Sequence, residues 1–153
     1  MAFAERGYRV TAFDASSEMV RHTRERVAGR AEVLQMRFED VAWRGKFEGI
    51  WSSASLLHIP TANFAAIAHR LVASLRPGGI WYMSFKLGEG ERMSNGRLFI
   101  DHTEHSLRRA LAVTHVTIID LWRSADVRPS RTSEQWLNAL ATSVTSSPAQ
   151  GQR

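Results

Sequence analysis

The chain has 153 residues, of which 44% are hydrophobic and 23% are charged, and it contains no cysteine. This balance is that of an ordinary globular domain, and the lack of cysteine excludes disulfides, thiolate metal sites and cysteine nucleophiles. No apolar run approaches the roughly 20 residues that span a bilayer, and the segment MAFAERGYRV lacks the apolar core of a secretion signal. We therefore expect a cytoplasmic protein without a membrane partner.

The net charge is +5, and nearly all of the basic residues are arginine. They are scattered along the chain among acidic residues and form no basic stripe, so we expect no nucleic-acid partner. His102 and His105 stand three positions apart, as some metal ligands do, but no further ligand of known spacing accompanies them. We therefore predict no metal site.

Strands and helices alternate along the first half of the chain. We expect a helix end at 2–5 closed by Gly7, strands at 8–13, 32–38 and 47–55, and a helix from Ser16 or Ser17 to about Val27. The segment between the second and third strands is a short polar turn around Gly45, too short for a helix. The pattern indicates parallel strands joined by crossovers.

The second half begins with the most regular helical pattern in the sequence. Pro60 and Thr61 open a helix whose apolar residues recur at intervals of three and four, from Phe64 to Leu75. We expect Pro77-Gly78-Gly79 to end this helix and a buried strand to follow at 80–85. A loop beginning at Gly88-Glu89-Gly90-Glu91, a helix from Thr103 to about Leu111, and strands at 116–122 and 136–141 complete the prediction.

These elements predict an α/β sheet covered by helices on both faces. Because no helix separates the last two strands, they should pair antiparallel at one edge of the sheet. The tail from Thr145 onward is rich in serine, proline and glutamine, and we expect it to be disordered.

Two candidate ligand contacts follow the first two strands. Asp14 ends a strand, where a carboxylate can accept hydrogen bonds from ribose hydroxyls, although an acid before a helix also favours the helix dipole. The turn at 36–40 can offer backbone groups and an apolar face to an adenine ring. A polar turn with Phe38 in the core explains that segment equally well.

Three further candidates lie after later strands. The small residues around Ser53 let a ligand approach the backbone, and His58 can accept a proton or serve as a packed structural residue. Lys86, together with Glu89 and Glu91, can bind a polar substrate or form a solvated loop. Arg128 and Arg131 can clamp an anion or belong to an exposed edge loop.

Read together, four ordered segments resemble the class I S-adenosylmethionine-dependent methyltransferases. They are Gly-Tyr-Arg-Val-Thr-Ala-Phe-Asp14, Arg-Phe-Glu-Asp40, Ala-Ser-Leu-Leu-His58-Ile-Pro, and Leu-Arg-Pro-Gly-Gly79-Ile-Trp-Tyr-Met-Ser-Phe-Lys86. The segments Ala-Ser-Leu-Leu-His, Ser-Phe-Lys-Leu-Gly-Glu-Gly-Glu and Trp-Leu-Asn are similar to a bacterial subgroup near the type 11 and tellurite-resistance methyltransferases. The similarity covers roughly residues 1–142.

The resemblance implies a Rossmann-like sheet in the order 3-2-1-4-5-7-6, which binds S-adenosylmethionine and transfers its methyl group to a small polar acceptor. It implies a partial methyltransferase domain over residues 1–144, and the tail expected to be disordered from its composition covers 145–153. The implied cofactor contacts are Asp14, Ala15, Phe38, Glu39, Ser53 and Ala54. His58, Lys86, Glu89, Arg128 and Arg131 would face the acceptor, and His58 is our candidate for the catalytic base if the acceptor is a hydroxyl or an amine.

One part of the family pattern does not occur in the sequence. The first strand of the family and its Asp-x-Gly-x-Gly-x-Gly loop should precede Ala2, where glycine lets the backbone reach the cofactor. The resemblance therefore predicts that coding sequence for this segment lies upstream of Met1. Two alternatives stay open: a non-catalytic methyltransferase-like fragment that acts as a binding module, and a nicotinamide-dependent oxidoreductase, since Asp14 suits any ribose.

Overall fold

The computed structural model describes residues 2–128 and 134–144, and the chain divides into two compact units, residues 1–41 and 42–153. In the first unit, helix α1 (Ala2–Glu5) precedes strand β1 (Thr11–Asp14), helix α2 (Ser17–Val27) and strand β2 (Glu32–Gln35). Strands β1 and β2 are parallel, with Ala12 opposite Val33. A 3-10 turn at Phe38–Asp40 ends this unit.

Helix α2 begins where the sequence predicts. The Ser16 hydroxyl accepts a hydrogen bond of 3.3 Å from the Met19 amide, which satisfies one of the first amides of the helix. Two buried valines of the helix, Val20 and Val27, pack with Val33 of β2 into a small core. The crossover between the two parallel strands is therefore held by one stripe of α2.

The second unit contains most of the secondary structure. Its elements are β3 (Phe47–Ser52), a 3-10 turn (Leu56–His58), α3 (Thr61–Ser74), β4 (Leu75–Lys86), β5 (Gly90–Ser94), β6 (Arg97–Asp101), α4 (Glu104–Leu111), β7 (Val116–Ala125) and β8 (Gln135–Ser143). Four strands form a sheet in the order β3-β4-β8-β7, while β5 and β6 form a separate hairpin. Strands β3 and β4 are parallel, and β8 runs antiparallel to both β4 and β7. The predicted antiparallel pairing of the last two strands is thus confirmed, with β7 at the edge.

The core of the second unit centres on β4. Trp81, Met83 and Phe85 are completely buried on one face of that strand. On the neighbouring strand β8, the buried residues Ala141, Ala139 and Leu137 lie opposite them in register. The Trp81 indole also donates a 3.0 Å hydrogen bond to the Ser52 hydroxyl, so the polar atom of this large side chain is satisfied inside the core.

The prediction that Pro77-Gly78-Gly79 ends the third helix is wrong. Helix α3 ends at Ser74, and Leu75 is already extended, so the Pro-Gly-Gly segment lies inside β4. Gly79 is needed there because an added Cβ would lie 2.9 Å from the Arg76 carbonyl oxygen and 3.2 Å from that of Glu48. The segment therefore allows β3 and β4 to approach closely instead of ending the helix.

The predicted loop after β4 is also wrong, because residues 90–101 form the β5–β6 hairpin. Its two-residue turn is Asn95-Gly96, and both residues have positive φ, as a type I′ turn requires. The predicted disordered tail from Thr145 onward lies outside the described residues. Within the described residues, no helix is long and apolar enough to cross a membrane.

Candidate functional site

In the first unit, Asp14 lies at the carboxyl end of β1, where its side chain is exposed. Its Oδ1 accepts a 2.8 Å hydrogen bond from the Ser16 amide, and its carbonyl oxygen accepts one of 3.0 Å from the Met36 amide. The carboxylate therefore orders the turn into α2 and still faces solvent. Both interpretations of Asp14, as a helix-capping acid and as a ribose contact, are compatible with this geometry.

The other predicted cofactor contacts of this unit lie beside Asp14 or just after β2. The Ala15 carbonyl accepts a 3.4 Å hydrogen bond from the Gln35 amide group. Phe38 is half-buried, with its ring edge-to-face against Phe13 at a centroid distance of 5.4 Å. Glu39 is exposed. The Phe38 ring and the Glu39 carboxylate thus both follow the end of β2, which pairs with the end of β1 at Asp14.

In the second unit, Ser53 and Ala54 form the turn that follows β3, and both are exposed. Ala54 has a φ of +51°, an unusual value for a residue with a side chain. Its amide is already used, because it donates a 2.9 Å hydrogen bond to the buried Ser84 hydroxyl. The polar group of this turn that stays accessible is therefore the exposed Ser53 side chain.

His58 ends the 3-10 turn that follows, and the hairpin holds its ring in place. Its Nδ1 lies 2.7 Å from the carbonyl oxygen of Leu98, and its ring contacts Phe99 edge-on at 4.7 Å. Because a carbonyl oxygen only accepts, Nδ1 must carry the proton in this contact. In the neutral ring Nε2 then has a free lone pair, which is the state that a proton acceptor needs.

A second contact attaches the hairpin to the start of α3. The Glu91 carboxylate of β5 accepts a 2.8 Å hydrogen bond from the Thr61 amide. This hydrogen bond lowers the pKa of Glu91 below its ordinary value, because it stabilises the ionised form. Glu91 thus joins β5 to the first residue of α3, and His58 joins β6 to the turn before α3.

Lys86, predicted to contact substrate, is held by acidic side chains at the end of β4. Only 7% of its side chain is exposed, and its ammonium bonds the carboxylates of Asp126, at 3.0 Å, and Glu134. The ammonium also lies 4.0 Å from the centre of the Trp136 ring. The charge of Lys86 is therefore compensated within the protein.

Asp126 is the centre of this ionic cluster. Its carboxylate accepts hydrogen bonds from the Arg128 amide and guanidinium, from Lys86 and from the Trp136 indole. These donors, of which Arg128 is the strongest, hold the pKa of Asp126 well below its usual range. Arg128 itself is half exposed, and its guanidinium is engaged with Asp126. The other arginine predicted to bind an anion, Arg131, lies outside the described residues.

A cleft of about 350 Å³ opens beside this cluster. It is lined by Lys86, Leu87, Arg92, Asp101, Glu134 and Gln135. Of these, only Lys86 is a predicted site residue; Glu89 is exposed and does not line the cleft. The cleft lies at the carboxyl end of β4, the usual place for a ligand of an open α/β sheet.

Arg92 and Asp101, which the sequence interpretation missed, form an ion pair across the hairpin. Arg92 Nε lies 2.5 Å from Oδ2 of Asp101, and Nη2 lies 3.3 Å from Oδ1. The guanidinium carbon also lies 4.8 Å from the centre of the Phe99 ring. The hydrogen bond to Asp101 raises the pKa of Arg92 above its ordinary value. The Asn95-Gly96 turn was the sequence signal that would have placed these two residues on facing strands.

Among the described residues, no group of three or more histidines, aspartates or glutamates is arranged to hold a metal ion. His102 is buried, and its Nδ1 lies 3.0 Å from the Ser106 hydroxyl. Burial lowers the pKa of His102, although the nearby Asp101 carboxylate partly opposes this shift. His105, in the first turn of α4, is exposed.

Solved structures share this fold. A Burkholderia thailandensis 1,6-didemethyltoxoflavin-N1-methyltransferase is 26% identical, with a TM-score of 0.78 over 94% of this chain. A Methanosarcina mazei S-adenosylmethionine-dependent methyltransferase is 18% identical over 94% of this chain and 85% of its own, with a TM-score of 0.80. The cyclase SpnF, 15% identical, covers 94% of this chain and 70% of its own with a TM-score of 0.72, so the fold alone does not define the reaction.

This chain spans 64% of the length of the Burkholderia enzyme. None of the curated proteins matches the chain significantly. The strand orders β2-β1 and β3-β4-β8-β7 correspond to the parts 3-2 and 4-5-7-6 of the order that the resemblance implies. The family model described as "Methyltransferase domain" matches residues 1–79, more than half of the sequence. The chain belongs to the methyltransferase domain family.

Proposed function

We propose that this protein transfers the methyl group of S-adenosylmethionine to a small polar acceptor. The observation that carries the proposal is the family match over residues 1–79, which contains the exposed carboxylate of Asp14 at the end of β1. A carboxylate at that point of a nucleotide-binding sheet accepts hydrogen bonds from ribose hydroxyls. The Burkholderia relative was solved with S-adenosylhomocysteine, the demethylated form of the same cofactor.

The residues of the first unit have the chemistry that this cofactor needs. Asp14 offers an acceptor for the ribose, and the half-buried Phe38 ring beside Phe13 offers an apolar surface for adenine. When bound, S-adenosylmethionine supplies a methyl group on a sulfonium that leaves readily, so the protein must mainly provide proximity and orientation. Ala15, Glu39, Ser53 and Ala54 stay predicted cofactor contacts.

His58 is the residue that we propose as the proton acceptor. An amine or hydroxyl must lose a proton as it gains a methyl group, and a positioned base assists that step. The hydrogen bond from Nδ1 to the Leu98 carbonyl fixes the ring, and Nε2 of the neutral ring can take the proton. The acceptor of the Burkholderia relative, 1,6-didemethyltoxoflavin, is likewise a small polar molecule.

The proposal can be tested by titrating the 153-residue protein with S-adenosylmethionine in a calorimeter. We expect saturable binding, and about a tenfold loss of affinity in Asp14→Ala, because a hydrogen bond to a charged group contributes about 1.5 kcal/mol or more. Glu18→Ala is the matched control, since Glu18 is an exposed acid in the first turn of α2. Equal losses of affinity in the two variants would show that Asp14 does not contact the cofactor.

Absence of any binding by the wild-type chain would instead favour the non-catalytic alternative. Binding of a nicotinamide dinucleotide in preference to S-adenosylmethionine would favour the oxidoreductase alternative. A methyl-transfer assay with tritiated S-adenosylmethionine and a panel of small acceptors completes the test.

A further inference from the structure

We propose that the cleft at the end of β4 binds the acceptor as an uncharged, planar heterocycle stacked on the guanidinium of Arg92. This inference rests on the proposed function in one respect: it identifies the ligand of the cleft as the molecule that receives the methyl group. The cleft, at about 350 Å³, lies at the lower end of the range of small-molecule sites, which suits a molecule of one or two rings.

Among the described residues, the charged side chains that line the cleft are already paired. Lys86 is bound by Asp126 and Glu134, and Arg92 is bound by Asp101. A charged ligand would have to displace one of these partners, which would leave a desolvated charge without compensation. The lining therefore selects against anionic and cationic ligands and accepts a neutral one.

Arg92 supplies a flat surface in this cleft. Its Nε and Nη2 are fixed by Asp101 along one edge, and the Phe99 ring lies against the guanidinium at 4.8 Å. The side chain is nevertheless 44% exposed. A guanidinium that is held in this way and is partly exposed in a cleft offers a planar surface, and guanidinium planes stack well on planar π-systems.

Polar groups at the rim complete a site for a heterocycle. Gln135, the first residue of β8, is exposed and lines the cleft, and its amide offers both donors and an acceptor. Leu87 provides an apolar wall. A ring with N–H and C=O groups along its edge can pair with the amide while its face lies on Arg92.

The test compares neutral heterocycles with charged counterparts of the same shape. We would measure binding of lumazine and quinazolin-4-one at pH 6.5 to the full chain without cofactor, each against its carboxylate-bearing derivative, by calorimetry or ligand-observed NMR. We expect the neutral compounds to bind and their carboxylates to bind at least about tenfold more weakly, because the carboxylate must displace an existing ion pair. Equal or tighter binding of the carboxylates would overturn the inference, as would failure of both neutral compounds to bind.

Two variants test the role of Arg92. Arg92→Lys keeps the charge but removes the plane, so the affinity for the neutral compounds should fall about tenfold. Arg97→Lys is the matched control, because Arg97 is an exposed arginine of the same hairpin that does not line the cleft. Phe99→Leu keeps the ion pair with Asp101 and should weaken binding by about threefold. Wild-type affinity in both Arg92→Lys and Phe99→Leu would rule out the stacked arrangement.

These outcomes separate the inference from the proposed function. If the heterocycles bind but no methyl transfer occurs, the cleft is a binding site and the proposed activity fails. If the protein methylates an anionic acceptor whose binding is unaffected by Arg92→Lys, the activity holds and the inference about the cleft fails.

Discussion

The two units of the chain differ in the size of the side chains that they bury. Every buried apolar residue described in the first unit is a valine: Val20, Val27, Val33 and Val41. The second unit buries Trp81, Phe85, Met83 and several leucines completely. Because burial of apolar area is the main favourable term in folding, the first unit has far less stabilisation of its own. The proposed cofactor contacts Asp14 and Phe38 thus belong to the weaker unit, and the cleft belongs to the stronger one.

The largest expected effect is on stability, and it compares Lys86 with Lys46, the two lysines of the sequence, which differ in their surroundings. Lys86→Met should lower the free energy of unfolding by about 3 kcal/mol, because it leaves two carboxylates near the core without their shared cation. Lys46→Met is the control; Lys46 is exposed over the Trp43 ring, and its loss should cost about 0.5 kcal/mol. Urea denaturation measures both values, and similar losses would contradict the assignment of Lys86 as a buried charge.

The next effect concerns local opening of each unit. Hydrogen exchange should be on the order of 100-fold faster for the amides of β2 than for those of β8, since exchange follows the stability of the local core. Strand β8 lies between β4 and β7, whereas β2 pairs with β1 in a two-stranded sheet. Equal protection of the two strands would show that the first unit is as stable as the second.

A smaller effect tests the start of α2. Ser16→Ala should lower the free energy of unfolding by about 1 kcal/mol, because the Met19 amide loses its capping acceptor. Ser17, the first helical residue, is exposed, so Ser17→Ala should change stability by less than about 0.5 kcal/mol. If Ser17 were the cap, Ser17→Ala would lower the free energy of unfolding more than Ser16→Ala.

The smallest effect is a pH dependence in the second unit. Burial lowers the pKa of His102, so the unfolded chain binds a proton at this site more readily than the folded protein does. Stability should therefore fall as the pH drops through about 6.5, the ordinary pKa of histidine. The melting temperature of His102→Gln should depend less on pH over this range than that of the wild type. His105→Gln, a change of an exposed neighbour, should keep the wild-type slope.

Local signals predicted the parts of the fold that depend on nearby residues. The Ser16 and Thr103 caps, helix α3 and the antiparallel final strands follow from spacing within a few residues. The Pro-Gly-Gly segment was misassigned because its role depends on β3, which approaches it from outside the local sequence. The hairpin was missed because Gly88 to Glu91 read as a loop, although Asn95-Gly96 was a strong turn signal.

The site was harder to predict than the fold because its contacts are distant in sequence. Lys86 was correctly placed at the end of a buried strand, but its carboxylate partners lie 40 and 48 residues further along the chain. No local pattern distinguishes a lysine that binds substrate from one that is paired with internal acids. For the same reason, the Leu98 carbonyl that orients His58 could not be read from the residues around that histidine.

The β5–β6 hairpin is continuous in sequence and leaves the order of the main sheet unchanged. Its stretch from Gly90 to Asp101 carries Arg92 and Phe99, and it meets the rest of the unit partly through the Glu91 and Leu98 hydrogen bonds. A related sequence can therefore acquire a different surface by exchanging this one short insert while keeping the sheet that supports it. Such an arrangement makes the hairpin a suitable segment for grafting between relatives.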